Sequence, residues 1–112
     1  MSIYKKIQIT PTTKPLALYA IGKGSGDKWL ILASHIKECN SGLKIYRHLS
    51  INLTREKVYF DGNEPKCWGN IRYFDFYIAP QKEILKIKNE LKERGYKFIP
   101  ILNKLKNELN KS

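Results

Sequence analysis

A chain of 112 residues, 42% hydrophobic and 28% charged, is long enough for a hydrophobic core and too short for two comfortable domains, and lies far from the composition of a disordered chain. Its 21 lysines and arginines against 10 acidic residues leave a net charge of +11. Such a field draws polyanions, whether nucleic acid, an acidic membrane surface or an acidic protein. Lys, Ile and Asn are abundant throughout, as an A/T-rich coding bias also makes them, so the charge sets the sign of a partner and not its identity.

Only Cys39 and Cys67 are present, and no apolar export signal precedes Tyr4-Lys5-Lys6, which predicts reduced thiols and a cytoplasmic protein. The longest apolar runs, 16–21 and 29–33, fall well short of the roughly 18 residues that a membrane span requires.

In chain order, Ile3, Ile7 and Ile9 alternate with Tyr4, Lys6 and Gln8, the pattern of a basic strand near a sheet edge. Pro11 and Pro15 then force a loop, because each lacks the ladder donor. Runs 16–21 and 29–34 read as antiparallel strands joined by the glycine-rich stretch 22–28. The second of these is expected to become a short helical turn ahead of Asn40-Ser41-Gly42.

Residues 43–78 read as a three-stranded meander. Leu43, Ile45, Leu49, Ile51 and Leu53 share one parity, Val58 and Phe60 follow, and Phe74, Phe76 and Ile78 complete an apolar face. Residues 61–70 are rich in turn formers, with Trp68 expected to fold back as a lid on the core. After Pro80, residues 81–94 form a helix whose stripe is Ile84, Ile87 and Leu91, widened by Leu85. Pro100, Ile101, Leu102, Leu105 and Leu109 predict a second helix.

The expected architecture is therefore one α+β domain over residues 1–112. N-terminal strands occupy 1–34, the central meander 43–78, and two C-terminal helices 81–110. The helices pack on one face of an antiparallel sheet of about five or six strands.

With the helices on the aliphatic face, the opposite face is expected to display Lys44, Tyr46, His48, Lys57, Tyr59, Tyr73 and Tyr77, with Arg72 beside them. Rings interleaved with cations suit stacking on unpaired bases and contact with their phosphates. Lys23 and Lys28 on the glycine-rich tip would add backbone contacts. The stretch lacks P-loop spacing, and a plain hairpin turn is the favoured reading.

These residues predict a non-enzymatic protein that binds single-stranded nucleic acid or RNA. The alternative is a small regulator or inhibitor, of the kind mobile elements encode, that binds an acidic protein surface. A lesser possibility is a ribonuclease using His48 with Lys44 or Lys57. No cofactor is expected, and no metal either, since His35, Cys39, His48 and Cys67 lack the close cysteine pairs of zinc sites.

Overall fold

A computed structural model describes residues 4–62, 64–68 and 71–94. Among them, seven strands form a single antiparallel sheet: β1 (Lys5–Ile7), β2 (Leu16–Gly22), β3 (Lys28–Cys39), β4 (Gly42–Asn52), β5 (Lys57–Phe60), β6 (Lys66–Trp68) and β7 (Phe74–Ile78). The helix α1 (Gln81–Glu93) follows. The spatial order is β1-β7-β2-β3-β4-β5, and β6 pairs with β4 alongside β5. The mostly-sheet α+β character agrees with the patterning. The second helix expected around residues 100–109 lies outside the described residues.

The continuous apolar runs sit at the centre because β2 and β3 are covered on both sides. On one side Ala17, Tyr19, Leu30, Leu32, Leu49 and Ile51 pack against Ile84, Ile87 and Leu91 of α1. This is the helix face. On the other, Leu18, Ala20, Ile31, Ala33, Ile36, Ile45, Trp68 and Phe76 form a second cluster. Trp68 of β6 and Phe74 of β7 touch at 4.5 Å across this second side, although β4, β3 and β2 separate their strands in the sheet. The sheet must therefore curl around it, and this is the concave face. Trp68, only 6% exposed, closes it as the expected lid.

The single aliphatic face expected of residues 43–78 does not exist. A bulge is the reason. In β4, Leu49 pairs with Leu32 but Arg47 pairs with Ala33, so the ladder skips His48. Leu43 and Ile45 consequently lie with the concave-face cluster, whereas Leu49 and Ile51 lie under α1 despite their common parity. Val58 and Phe60 pack with the helix-face cluster, Phe74 and Phe76 with the concave one. Nor is β7 the third strand of a meander. It inserts between β1 and β2, with Ile78 opposite Leu18 and also opposite Lys5.

Three local expectations also change. The run beginning at Trp29 stays extended through Cys39 rather than turning helical, because Asn40-Ser41 is the two-residue loop of the β3–β4 hairpin, with Cys39 opposite Gly42. Residues 66–68 form a short strand and Ile71–Tyr73 a 3₁₀ turn, so the strand starts at Phe74. In α1 the buried stripe is Glu83, Ile84, Ile87 and Leu91, while Leu85 stands 56% exposed. Glu83 tolerates its buried position with Lys86 Nζ 3.4 Å away.

Candidate functional site

β2 and β4 end, and β3, β5 and β7 begin, at the same edge of the sheet. The connections 22–28 and 53–56 and the 3₁₀ turn Ile71–Tyr73 therefore meet there. Hydrogen bonds lock them to one another. The Lys23 N–H donates to the Tyr73 carbonyl at 2.8 Å, and the Leu53 N–H donates to the Lys28 carbonyl at 2.8 Å. The Lys28 N–H donates to Thr54 Oγ1 at 2.9 Å. Buried Asn52 donates from Nδ2 to Asp27 Oδ2 at 3.1 Å and accepts the Arg55 N–H at 2.9 Å. Arg55 Nε adds a 2.8 Å bond to the same carboxylate oxygen.

The glycine-rich stretch behaves as a turn and not as a phosphate cradle. Gly22 N–H donates to the Asp27 carbonyl, Gly26 N–H to the Gly22 carbonyl, and Asp27 N–H to Ser25 Oγ. Those donors point inward and are already bonded. Gly26 supplies the turn with φ +73°, a value that side-chain-bearing residues rarely adopt.

This end of the sheet displays Lys23, Lys28, Lys57 and Arg72, all exposed. Tyr59 (41%) and Tyr73 (56%) are the exposed large aromatics among the described residues. The Arg47 guanidinium lies 5.6 Å from the Tyr59 ring centre and that of Arg72 5.5 Å from Tyr73. Trp29 flanks Tyr59 at 5.8 Å, joining it to the aromatic row that continues through Trp68 to Phe74. Asp27 beside them is neutralised by Arg55.

The Arg55 hydrogen bond, followed by that of Asn52, holds the Asp27 carboxyl below its ordinary range. A carboxyl whose folded pKa is depressed adds stability that is fully present above its unfolded value, about 3.9, and is lost as pH falls through the folded value. Wild-type protein should therefore lose melting temperature as pH drops below about 4. Asp27→Asn should show a flatter profile in that window, and identical profiles would remove Asp27 as the clasp of these loops.

The remaining candidates lie elsewhere. Lys44 and Tyr46 sit on the far half of the β3–β4 hairpin, opposite Lys37 and His35. Tyr46 stacks on His35 at 4.6 Å and 12°. Its hydroxyl pKa is raised, first by a hydrogen bond with the Cys39 side chain and also by the nearby Cys67. Tyr77 packs edge-on against Tyr19 at 6.0 Å on the helix face. Burial pushes the Tyr19 hydroxyl up as well.

His48 is buried at the bulge, where Nδ1 donates to the Gly62 carbonyl at 2.8 Å and pins the loop between β5 and β6. It shares no face with both Lys44 and Lys57, which lie toward opposite ends of β4. Trp29, Arg47 and Arg55 are not singled out by patterning. Trp29 reads as an ordinary strand residue, and the arginines acquire their partners only through long-range pairing.

Among the described residues no three of His, Cys, Asp and Glu gather into a metal-binding group, and no helix is long and apolar enough to cross a membrane. Both cysteines are free thiols. Comparison with family models, curated proteins and solved structures returns no match.

Proposed function

We propose that this protein binds single-stranded nucleic acid, RNA or DNA, without chemistry, through the end of the sheet where the three connections meet. The observation that carries this reading is the gathering of Lys23, Lys28, Lys57 and Arg72 at the end of the sheet that also exposes Tyr59 and Tyr73, on loops fixed by cross-bonds, where Asp27 is paired to Arg55 and exposed Glu56 is outnumbered by the cations. Pre-ordered loops lose little entropy on binding. Rings stacked on bases contribute about 1–3 kcal/mol each and accept any base, while the cations add a salt-dependent term.

Fluorescence anisotropy with labelled homopolymer oligonucleotides tests the proposal. Affinity should fall steeply with salt, and Lys23→Gln/Arg72→Gln should shallow the slope of log K against log salt by about two phosphate contacts' worth. Tyr73→Ala should weaken binding by about 1–3 kcal/mol. Absence of binding at low salt, together with salt-insensitive capture of an acidic protein, would overturn the reading in favour of a protein-binding regulator.

A further inference from the structure

The far half of the β3–β4 hairpin carries cations for which the site above has no use. β2 releases β3 at Ala33, and β6 pairs no further along β4 than Ile45. Among the described residues, beyond the single bridge between Thr12 and Ile36, residues 37–44 pair only with each other as a two-stranded ribbon. On one side of it Lys37 stands directly opposite Lys44, next to the stacked pair of His35 and Tyr46. Like charges directly opposed in a ladder repel. Among the described residues no carboxylate answers them: neither lysine has an ion pair, and Glu38, opposite Leu43, falls on the other side of the ribbon. A bound anion would relieve that repulsion, and the half-exposed rings beside it suit a base.

From Lys28 to Lys37 the strand rise amounts to roughly 30 Å, comparable with the whole molecule at 35 × 33 × 31 Å. The rings of the two regions also lie on different sides of the sheet, although Lys28, paired with Ile21, is on the helix side. Tyr59, opposite Ser50, shares a face with Trp29 and Arg47, whereas His35, Lys37, Lys44 and Tyr46 belong to the opposite face, beyond the part α1 covers. An oligonucleotide of only a few nucleotides lying on one region therefore leaves the other free.

We propose that the protein carries two single-stranded nucleic-acid segments at once, one at the loop end of the sheet and one on the ribbon, and so bridges them. This rests on the reading under Proposed function. Bridging brings two strands to a high effective concentration without base-specific contacts.

The test uses two copies of one homopolymer oligonucleotide of about four nucleotides, too short to span both regions and at the lower end of the length a small domain contacts. One copy is immobilised and the other is fluorescent, so they cannot pair with each other. Wild-type protein should carry the fluorescent copy to the support, and native mass spectrometry should show two oligonucleotides per protein monomer. Lys37→Gln/Lys44→Gln, which removes the opposed charges, should keep one oligonucleotide and lower co-capture about tenfold or more, with a melting temperature equal to or slightly above that of the wild type.

Unchanged co-capture in that variant overturns bridging by the ribbon. So does a wild-type monomer that binds one oligonucleotide, or a dimer that carries one per copy. In these cases sensitivity to Lys23→Gln/Arg72→Gln would leave the first site standing. Failure of the wild type to bind any oligonucleotide would instead remove both readings.

Discussion

Trp68→Ala is expected to lower the stability by about 3–5 kcal/mol, the usual cost of emptying a buried aromatic site, and a large share of the roughly 5–15 kcal/mol that holds a small domain together. The ring is 6% exposed and lies 4.5 Å from Phe74, 5.8 Å from Trp29 and 6.0 Å from Phe76. It is also the sole buried residue of β6, a strand held to β4 by three register pairs. Its removal opens a void and takes away the contact through which one end of the curled sheet meets the other. Urea melts measure the effect as a lowered midpoint, and Trp68→Phe should cost less than half as much. Residues in contact do not act independently, so Trp68→Ala and Phe74→Ala should couple by about 1 kcal/mol in a double-mutant cycle. Strict additivity would mean that β6 and β7 do not meet across the concave face.

That contact marks the limit of what patterning discloses. Helix α1 is legible nearly to the residue, since Ile84, Ile87 and Leu91 repeat at helical spacing and Pro80 precedes them. The runs that form β2 and the first half of β3 are legible as strands, whereas the cover on both of their faces and the extension of β3 through Cys39 are not read from the pattern. What parity could not register is the bulge at His48. One skipped residue sends side chains of a single parity to opposite sides, leaving Ile45 in the concave cluster and Leu49 under the helix.

The same slip, together with the insertion of β7 between β1 and β2, dissolves the continuous tyrosine face and distributes its rings. Tyr59 goes to the loop end, Tyr46 to the ribbon, and Tyr77 beside Tyr19. Lys23, Lys28, Lys57, Tyr59, Arg72 and Tyr73 do come together, through bonds such as Asn52 to Asp27 and Lys23 to Tyr73. Partners so far apart in the chain leave no local signature. Leu85 fails for a simpler reason: α1 buries a stripe too narrow to include it, with Glu83 inside the stripe instead.

The second large effect is expected at Arg47 and Asp61, whose side chains are 18% and 11% exposed and meet at 3.1 Å. Arg47 Nε and Asp61 Oδ2 have no hydrogen-bond partner among the described residues, and Arg47 also donates from Nη1 to buried Ser50 Oγ, so the carboxylate depends on the guanidinium more than the guanidinium on it. Removing one member of such a pair leaves an uncompensated charge in a poorly solvated place, at about 3 kcal/mol or more for a well-buried pair. Asp61→Ala should therefore be strongly destabilising. Replacing both at once together with the hydroxyl that Arg47 satisfies, as Arg47→Met/Asp61→Leu/Ser50→Ala, should cost much less, because desolvation of the two charges offsets most of their attraction. Chemical denaturation of Asp61→Ala and the triple variant measures this, and a triple variant as unstable as Asp61→Ala would refute it. The triple variant also separates folding from binding. Arg47 lies over Tyr59, and its loss takes a cation from the exposed ring without moving Lys23, Lys28 or Arg72. A protein that melts close to wild type yet holds oligonucleotides more weakly would show that the Arg47–Tyr59 pair serves the ligand in addition to the fold.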